Sequence, residues 1–299
     1  MPMRSIPMLS GYDVIGRIGR GAGAVISLAR DTRNGRHVAV KHIVRQRPED
    51  DRFIAQAENE FAVAQHVAHS YLRKCYELVR VRRWLRTREL VLVMEYVDGE
   101  RLEDECPTDV PTILSVFRKV AEALHAMHQQ GYAHADIKPN NILLTPRGGL
   151  KIIDFGQSCP LGHAKQRIQG TPDFIAPEQV YRAEIDQRTD VYNLGATMYW
   201  VVTGKWFRTL ITVATPSATR IALESERGND PPHELNPRIP LPLSRLIMEC
   251  CEAAKDRRPR DMREVLSRLE VVEHLALRNT EAEARVSDPG TTGASPQSA

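Results

Sequence analysis

The chain has 299 residues, 42% hydrophobic and 26% charged, with a formal net charge of +3. That length exceeds one small core and suits either one large two-lobed domain or two domains. The near-balanced charge leaves no footprint for a polyanion, so a nucleic-acid partner is not implied. Five scattered cysteines without metal-type spacing (Cys75, Cys106, Cys159, Cys250, Cys251) read as reduced thiols of a cytoplasmic protein. No stretch reaches the roughly 20 apolar residues of a membrane helix. Residues 191–202 come nearest, but Asn193 and Gly195 interrupt them, and they read as a buried core helix. Residues 1–10 lack the apolar run of a signal peptide.

Residues 12–43 alternate apolar and polar positions with glycines between them, predicting strand, turn, strand, turn, strand. Within them Gly19-Arg20-Gly21-Ala22-Gly23-Ala24 has little side-chain bulk, so its backbone N–H groups can approach phosphate oxygens. Residues 49–68, rich in Ala, Glu and Gln with apolar residues three and four apart, predict a helix. Residues 75–81 and 90–96 predict two strands, and the basic stretch between them, with Trp84, reads as a solvated hairpin rather than a docking patch. Asp98-Gly99 marks a turn, after which the pattern becomes helical.

Residues 112–130 form an amphipathic helix with Val116, Val120, Ala123, Leu124 and Met127 on one face and Gly131 past its end. Short strands near 142–144 and 151–153 flank a polar loop. The helical pattern resumes at 187, prolines at 231, 232, 237, 240 and 242 mark a long connection, and 262–277 is a final helix. The last residues are Gly, Ser, Thr and Pro with few apolar positions, and predict a disordered tail. The order gives an α+β fold in two lobes, a small antiparallel-sheet lobe with one main helix and a larger, mainly helical lobe.

Chemistry concentrates in the polar loop. His134-Ala135-Asp136-Ile137-Lys138-Pro139-Asn140-Asn141 and Asp154-Phe155-Gly156 bring two carboxylates, an amide and an ammonium into one spacing pattern. One carboxylate can orient an attacking hydroxyl, and the other, with the amide, can hold a divalent cation against a polyphosphate. Lys41, on the apolar strand Val38-Ala39-Val40, needs a carboxylate partner to be buried there. The following helix offers two, Glu58 and Glu60. With Ala176-Pro177-Glu178 downstream, these motifs resemble the eukaryotic-type serine/threonine protein kinase family over residues 12–277.

That resemblance implies an extension at 1–11, a small lobe at 12–97, a large lobe at 98–278 and a disordered tail at 279–299. It implies ATP as phosphoryl donor, Mg²⁺ or Mn²⁺ as cofactor, and protein Ser/Thr hydroxyls as acceptors. Asp136 would be the base and Lys138 would neutralise the transferred group, with Asn141 and Asp154 holding metal. Around the nucleotide would lie Ile18, Gly19, Gly21, Gly23, Ala24, Ile26, Ala39, Lys41, Glu60, Met94, Glu95, Val97 and Leu143. His134, Phe155, Gly156, Thr171, Asp190 and the pair Glu178–Arg258 would support the site. Lys138-Pro139 and Thr171 resemble the serine/threonine branch rather than the tyrosine branch.

Two positions depart from the family pattern. Its third glycine falls on Ala24, where a left-handed backbone would cost about 1 kcal/mol. Its catalytic-loop arginine falls on Ala135, and residues 159–170 contain no Ser, Thr or Tyr. Activity is therefore expected not to depend on phosphorylation of that loop. The rivals are a turnover-free binding module of the same fold and a small-molecule phosphotransferase; the sequence leaves oligomeric state open.

Overall fold

Alternation of buried and exposed positions builds the first layer. A computed structural model describes residues 9–21, 23–83, 86–213 and 228–287. Strands β1 (Tyr12–Gly21), β2 (Ala24–Asp31), β3 (His37–Val44), β4 (Cys75–Arg83) and β5 (Arg86–Glu95) form one antiparallel sheet in the order β1-β2-β3-β5-β4. Val38 and Val40 on β3 pack with Ala29, Val91 and Val93 on one face, whereas Ala39 packs with Leu92 and Met94 on the other. Lys41 therefore shares the face of Ala39. The basic hairpin forms as β4 and β5; its tip residues Trp84 and Leu85 lie outside the described residues.

Helix α1 (Asp51–His66) lies against this sheet. Its buried residues Ile54, Ala57, Glu60 and Val63 recur every third position, so a carboxylate sits inside an otherwise apolar stripe. The helix starts later than the composition suggests because Pro48–Asp50 closes a separate 3-10 turn.

The second lobe begins with β6 (Glu100–Arg101) and α2 (Val110–Gln129). Asp109 caps α2 by accepting from Thr112 N at 2.8 Å, and Gly131 leaves it at φ +81. Then come β7 (Tyr132–Ala133), β8 (Ile142–Thr145) and β9 (Gly149–Ile152), with β6, β8 and β9 in one small sheet. Strand β10 (Cys159–Pro160) pairs with β7, and β11 (His163–Ala164) with β12 (Glu184–Ile185). The helices are α3 (Pro177–Tyr181), α4 (Gln187–Thr203), α5 (Leu210–Val213), α6 (Pro232–Leu235), α7 (Leu241–Cys250) and α8 (Met262–Ser287). Gly195 lets α4 and α7 touch, since a Cβ there would stand 2.5 Å from Cys250 Cβ. Among the described residues no helix is long and apolar enough to cross a membrane.

One boundary needs correction. The disordered tail expected from residue 279 does not begin there, because α8 continues to Ser287. Residues 278–287 are mostly Ala, Glu and Arg, which extend a helix, and the first proline after them is Pro289. Residues 288–299 lie outside the described part.

A buried ion pair joins α3 to the loop before α8. Arg258 reaches Glu178 through two parallel bonds of 2.8 and 2.9 Å and also donates to the carbonyls of Arg188 and Glu252. Thr189 Oγ1 donates to the same carboxylate at 2.8 Å. Arg258→Met keeps the volume and strands the Glu178 charge, so denaturant unfolding should show a loss of about 3–5 kcal/mol. An unfolding midpoint unchanged from the native chain would contradict this role.

Candidate active site

The site starts from the carboxylate on α1. Glu60 is fully buried, accepting from Lys41 Nζ at 2.8 Å and from Arg73 at 2.6 Å. Glu58, the second candidate, pairs instead with Arg80 near the surface. Lys41 Nζ also stands 4.0 Å from Asp154 Oδ1. Burial works against its charge, but Glu60 and Asp154 outweigh it and hold the ammonium pKa above the ordinary lysine value. Residues from β3, α1 and the loop after β9 thus meet at one ammonium.

Asp190 on α4 organises the loop that carries Asp136 from inside the second lobe. Its two oxygens accept from His134 N at 2.8 Å and Ala135 N at 2.7 Å, and His128 Nε2 sits 2.8 Å away. Burial alone would raise the Asp190 pKa, but the His128 bond and neighbouring imidazoles and N–H groups hold it below the usual carboxylate range. The pinned backbone puts Ala135 in the left-handed region, φ 58. His134 is fully buried, edge-on to Phe155 with ring centres 5.7 Å apart, and burial pushes its imidazole pKa down.

Asp136 follows from that turn. Its Oδ1 accepts from Thr171 Oγ1 at 2.9 Å and Thr171 N at 3.1 Å, while Oδ2 accepts from Lys138 Nζ at 2.9 Å. Lys138 also reaches Thr171 Oγ1 at 2.6 Å. Asn141 spends its amide N–H on the Asp136 carbonyl at 2.9 Å, an orientation that keeps its oxygen for another partner. Asp154 is left-handed at φ 67, partly exposed, and caps the turn at Gly156. Phe155 is buried in the main core.

The protein kinase domain matches residues 12–269. The chain belongs to the protein kinase family. It is 29% identical to a probable serine/threonine-protein kinase of Clostridium acetobutylicum, over 93% of this chain and 42% of that protein. It is 31% identical to the serine/threonine-protein kinase PknB of Mycobacterium leprae, over 68% of this chain and 34% of that protein. A probable PknB of Bifidobacterium longum is 34% identical over 63% of this chain and 29% of its own length. The chain spans less than half the length of these curated relatives.

The residues expected around a nucleotide lie on the sheet and at its junction with the second lobe. Ala39 and Met94 are buried with Ile26 packed against them, and Leu143 faces Lys151 across β8 and β9. Ile18 is 47% exposed on β1, where Gly19 pairs with Ile26. Glu95 turns its carboxylate to Lys151 at 2.9 Å, so its side chain is structural, and Val97 follows two residues past the end of β5. Ala24 is not left-handed; it is a buried strand residue paired with Gly21 and Ile43, and carries no such strain. The positive φ falls on Gly23 at +73, where a Cβ would come within 2.3 Å of the Phe53 ring.

Four residues of the kinase domain escaped sequence reasoning. Arg73 and His128 are the partners of Glu60 and Asp190 described above. Asn59 donates its side-chain amide to the carbonyls of Phe155, Gly156 and Ser158 at 3.1, 3.3 and 2.8 Å. Lys165, largely buried, donates to the Gln157 carbonyl between them, and burial lowers its pKa. Only position could have flagged Asn59, a polar residue next to Glu60 on a helix face that is otherwise packed.

The thiol near this segment is inert. Burial pushes Cys159 up to about 11 and Cys75 and Cys250 up to about 12, and Cys251 rises well above the ordinary thiol value, while Cys106 is exposed. Alkylation of the native protein near neutral pH should add one adduct at Cys106, read by peptide mass. Fast modification of Cys159 would contradict this assignment.

Proposed function

We propose that this domain is an ATP-dependent serine/threonine protein kinase, a transferase moving the γ-phosphoryl group to protein Ser/Thr hydroxyls. The observation carrying this reading is Lys41 held between buried Glu60 and Asp154 while Asp136 stands ready with Lys138. A nucleotide triphosphate would lie under the glycine-rich turn, its α- and β-phosphates on Lys41 and its adenine between Ala39 and Leu143, beside Met94 and the backbone of 95–97. Ile18, Gly19, Gly21, Gly23, Ala24 and Ile26 would cover it.

Asp136 would accept a hydrogen bond from the substrate hydroxyl and orient it in line with the γ-phosphorus, as it now does for Thr171. Lys138 would balance charge on the moving group. The donor set fits Mg²⁺ or Mn²⁺: Asn141 and Asp154 offer oxygens, and among the described residues no cluster of three or more His, Cys, Asp or Glu forms a cage. Bound there with phosphate oxygens, such a cation would supply charge neutralisation. Labelled ATP and a generic protein substrate test the reading. Asp136→Asn should lower incorporation by about 10²–10⁴-fold, and chelation of divalent metal should abolish it. Equal incorporation by both chains would remove Asp136 from the reaction.

The loop after Asp154 supports activity without phosphorylation at 159–170. Ala135, in the arginine position, is buried with Ala133, Cys159 and Ile185 in an apolar cluster. The loop is held by the β7–β10 and β11–β12 pairs, by Asn59 and by Lys165. Exhaustive phosphatase treatment, checked by intact mass, should leave the rate unchanged; loss of activity with loss of phosphate would overturn this part.

A further inference from the structure

Two adjoining cavities of about 460 and 350 Å³ share Arg52, Gln56, Gln157 and Arg167 in their walls. The first holds Asp136, Lys138 and Asp154, the second His163 and Lys165. Together they form a trough running from the reacting carboxylates to the start of α1. Beyond Asp136 and Asp154 its walls contain no Asp or Glu. Three nearby acids are engaged elsewhere: Asp50 accepts from the backbone of Gln46 and Arg47, Asp51 pairs with Arg45, and Glu58, farther along α1, with Arg80.

Arg52 and Arg167 are exposed, so their charges are available without desolvation. Arg52 is held in place by stacking on Phe53, 4.5 Å from ring centre. Stacking uses the guanidinium face and leaves its edge donors for an anion. Residues 159–170 carry His163, Lys165 and Arg167 with no hydroxyl and no acid, so the loop itself cannot supply a phosphate or carboxylate to this cluster. Because the trough includes Asp136 in its wall, a peptide presenting its hydroxyl to that carboxylate would extend along it. Ile168, 52% exposed in the same wall, offers that chain an apolar contact.

We propose that Arg52 and Arg167 are specificity residues selecting substrate peptides with an anionic side chain, a carboxylate or a phosphoryl ester, next to the acceptor Ser or Thr. The proposal rests on the kinase reading of the same site. Peptides sharing one core, with the acceptor flanked by Glu, phosphoserine, Ala or Lys, test it. The Glu and phosphoserine peptides should exceed the Ala peptide in kcat/KM by roughly tenfold, mainly through KM, and lose the advantage at high salt. Arg52→Glu with Arg167→Glu should reverse the order toward the Lys peptide, and Arg52→Gln with Arg167→Gln should level it while retaining Ala-peptide phosphorylation. The Gln pair decides if the reversed chain does not fold. Equal rates for all peptides, or a preference that survives reversal, would overturn the proposal and leave the kinase standing. Fluorescence anisotropy of the same peptides separates the two ideas: tighter binding of anionic peptides, lost on reversal, without any phosphorylation would keep the trough and sink the kinase. Equal binding without phosphorylation would sink both.

Discussion

One buried carboxylate sets the geometry where the sheet, α1 and the loop after β9 meet. Glu60 has no exposed surface, and a lone charge there would be prohibitively costly, so the fold must bring cations to it. Lys41 from the sheet and Arg73 from the segment before β4 both do so. Satisfying Glu60 therefore fixes α1 against the sheet and aims the Lys41 ammonium at Asp154. Such a pair contributes little net stability beyond what an apolar core would give, and its return is the defined position of the ammonium.

The helical lobe repeats the logic with a second buried carboxylate. Asp190 is compensated by backbone N–H groups and His128, so the charge fixes the path of the polypeptide. The result is a left-handed turn at a non-glycine residue, Ala135, immediately before Asp136. Strain of this kind persists only where surroundings over-determine it, and here two hydrogen bonds and an apolar cluster do so.

Much of this was legible in the residues. Alternation in β1 to β3, the α2 stripe and Gly131 gave the elements, and the motifs singled out Lys41, Asp136, Asn141 and Asp154, of which Lys41 stands near Asp154 and Asn141 bonds Asp136. Choosing Glu60 over Glu58 required the family's interval; the structure adds the reason, since Glu60 lies on the packed stripe and Glu58 beside Arg80. Arg73, His128, Asn59 and Lys165 were illegible because their roles depend on contacts between distant segments, which periodicity does not encode. The cost at Ala24 was conditional on a positive φ there; sequence cannot say which of two neighbours takes that conformation, and the structure gives it to Gly23, where it costs little.

Asn59 and Glu60 are consecutive on α1, yet they serve opposite sides of the cleft. One holds three carbonyls of the segment after Asp154, the other holds the lysine of the sheet. A swing of α1 away from the sheet cannot release one without pulling on the other. The helix is thus a shared axle, and any rigid displacement of α1 would strain the lysine's partner and the donor to those three carbonyls together.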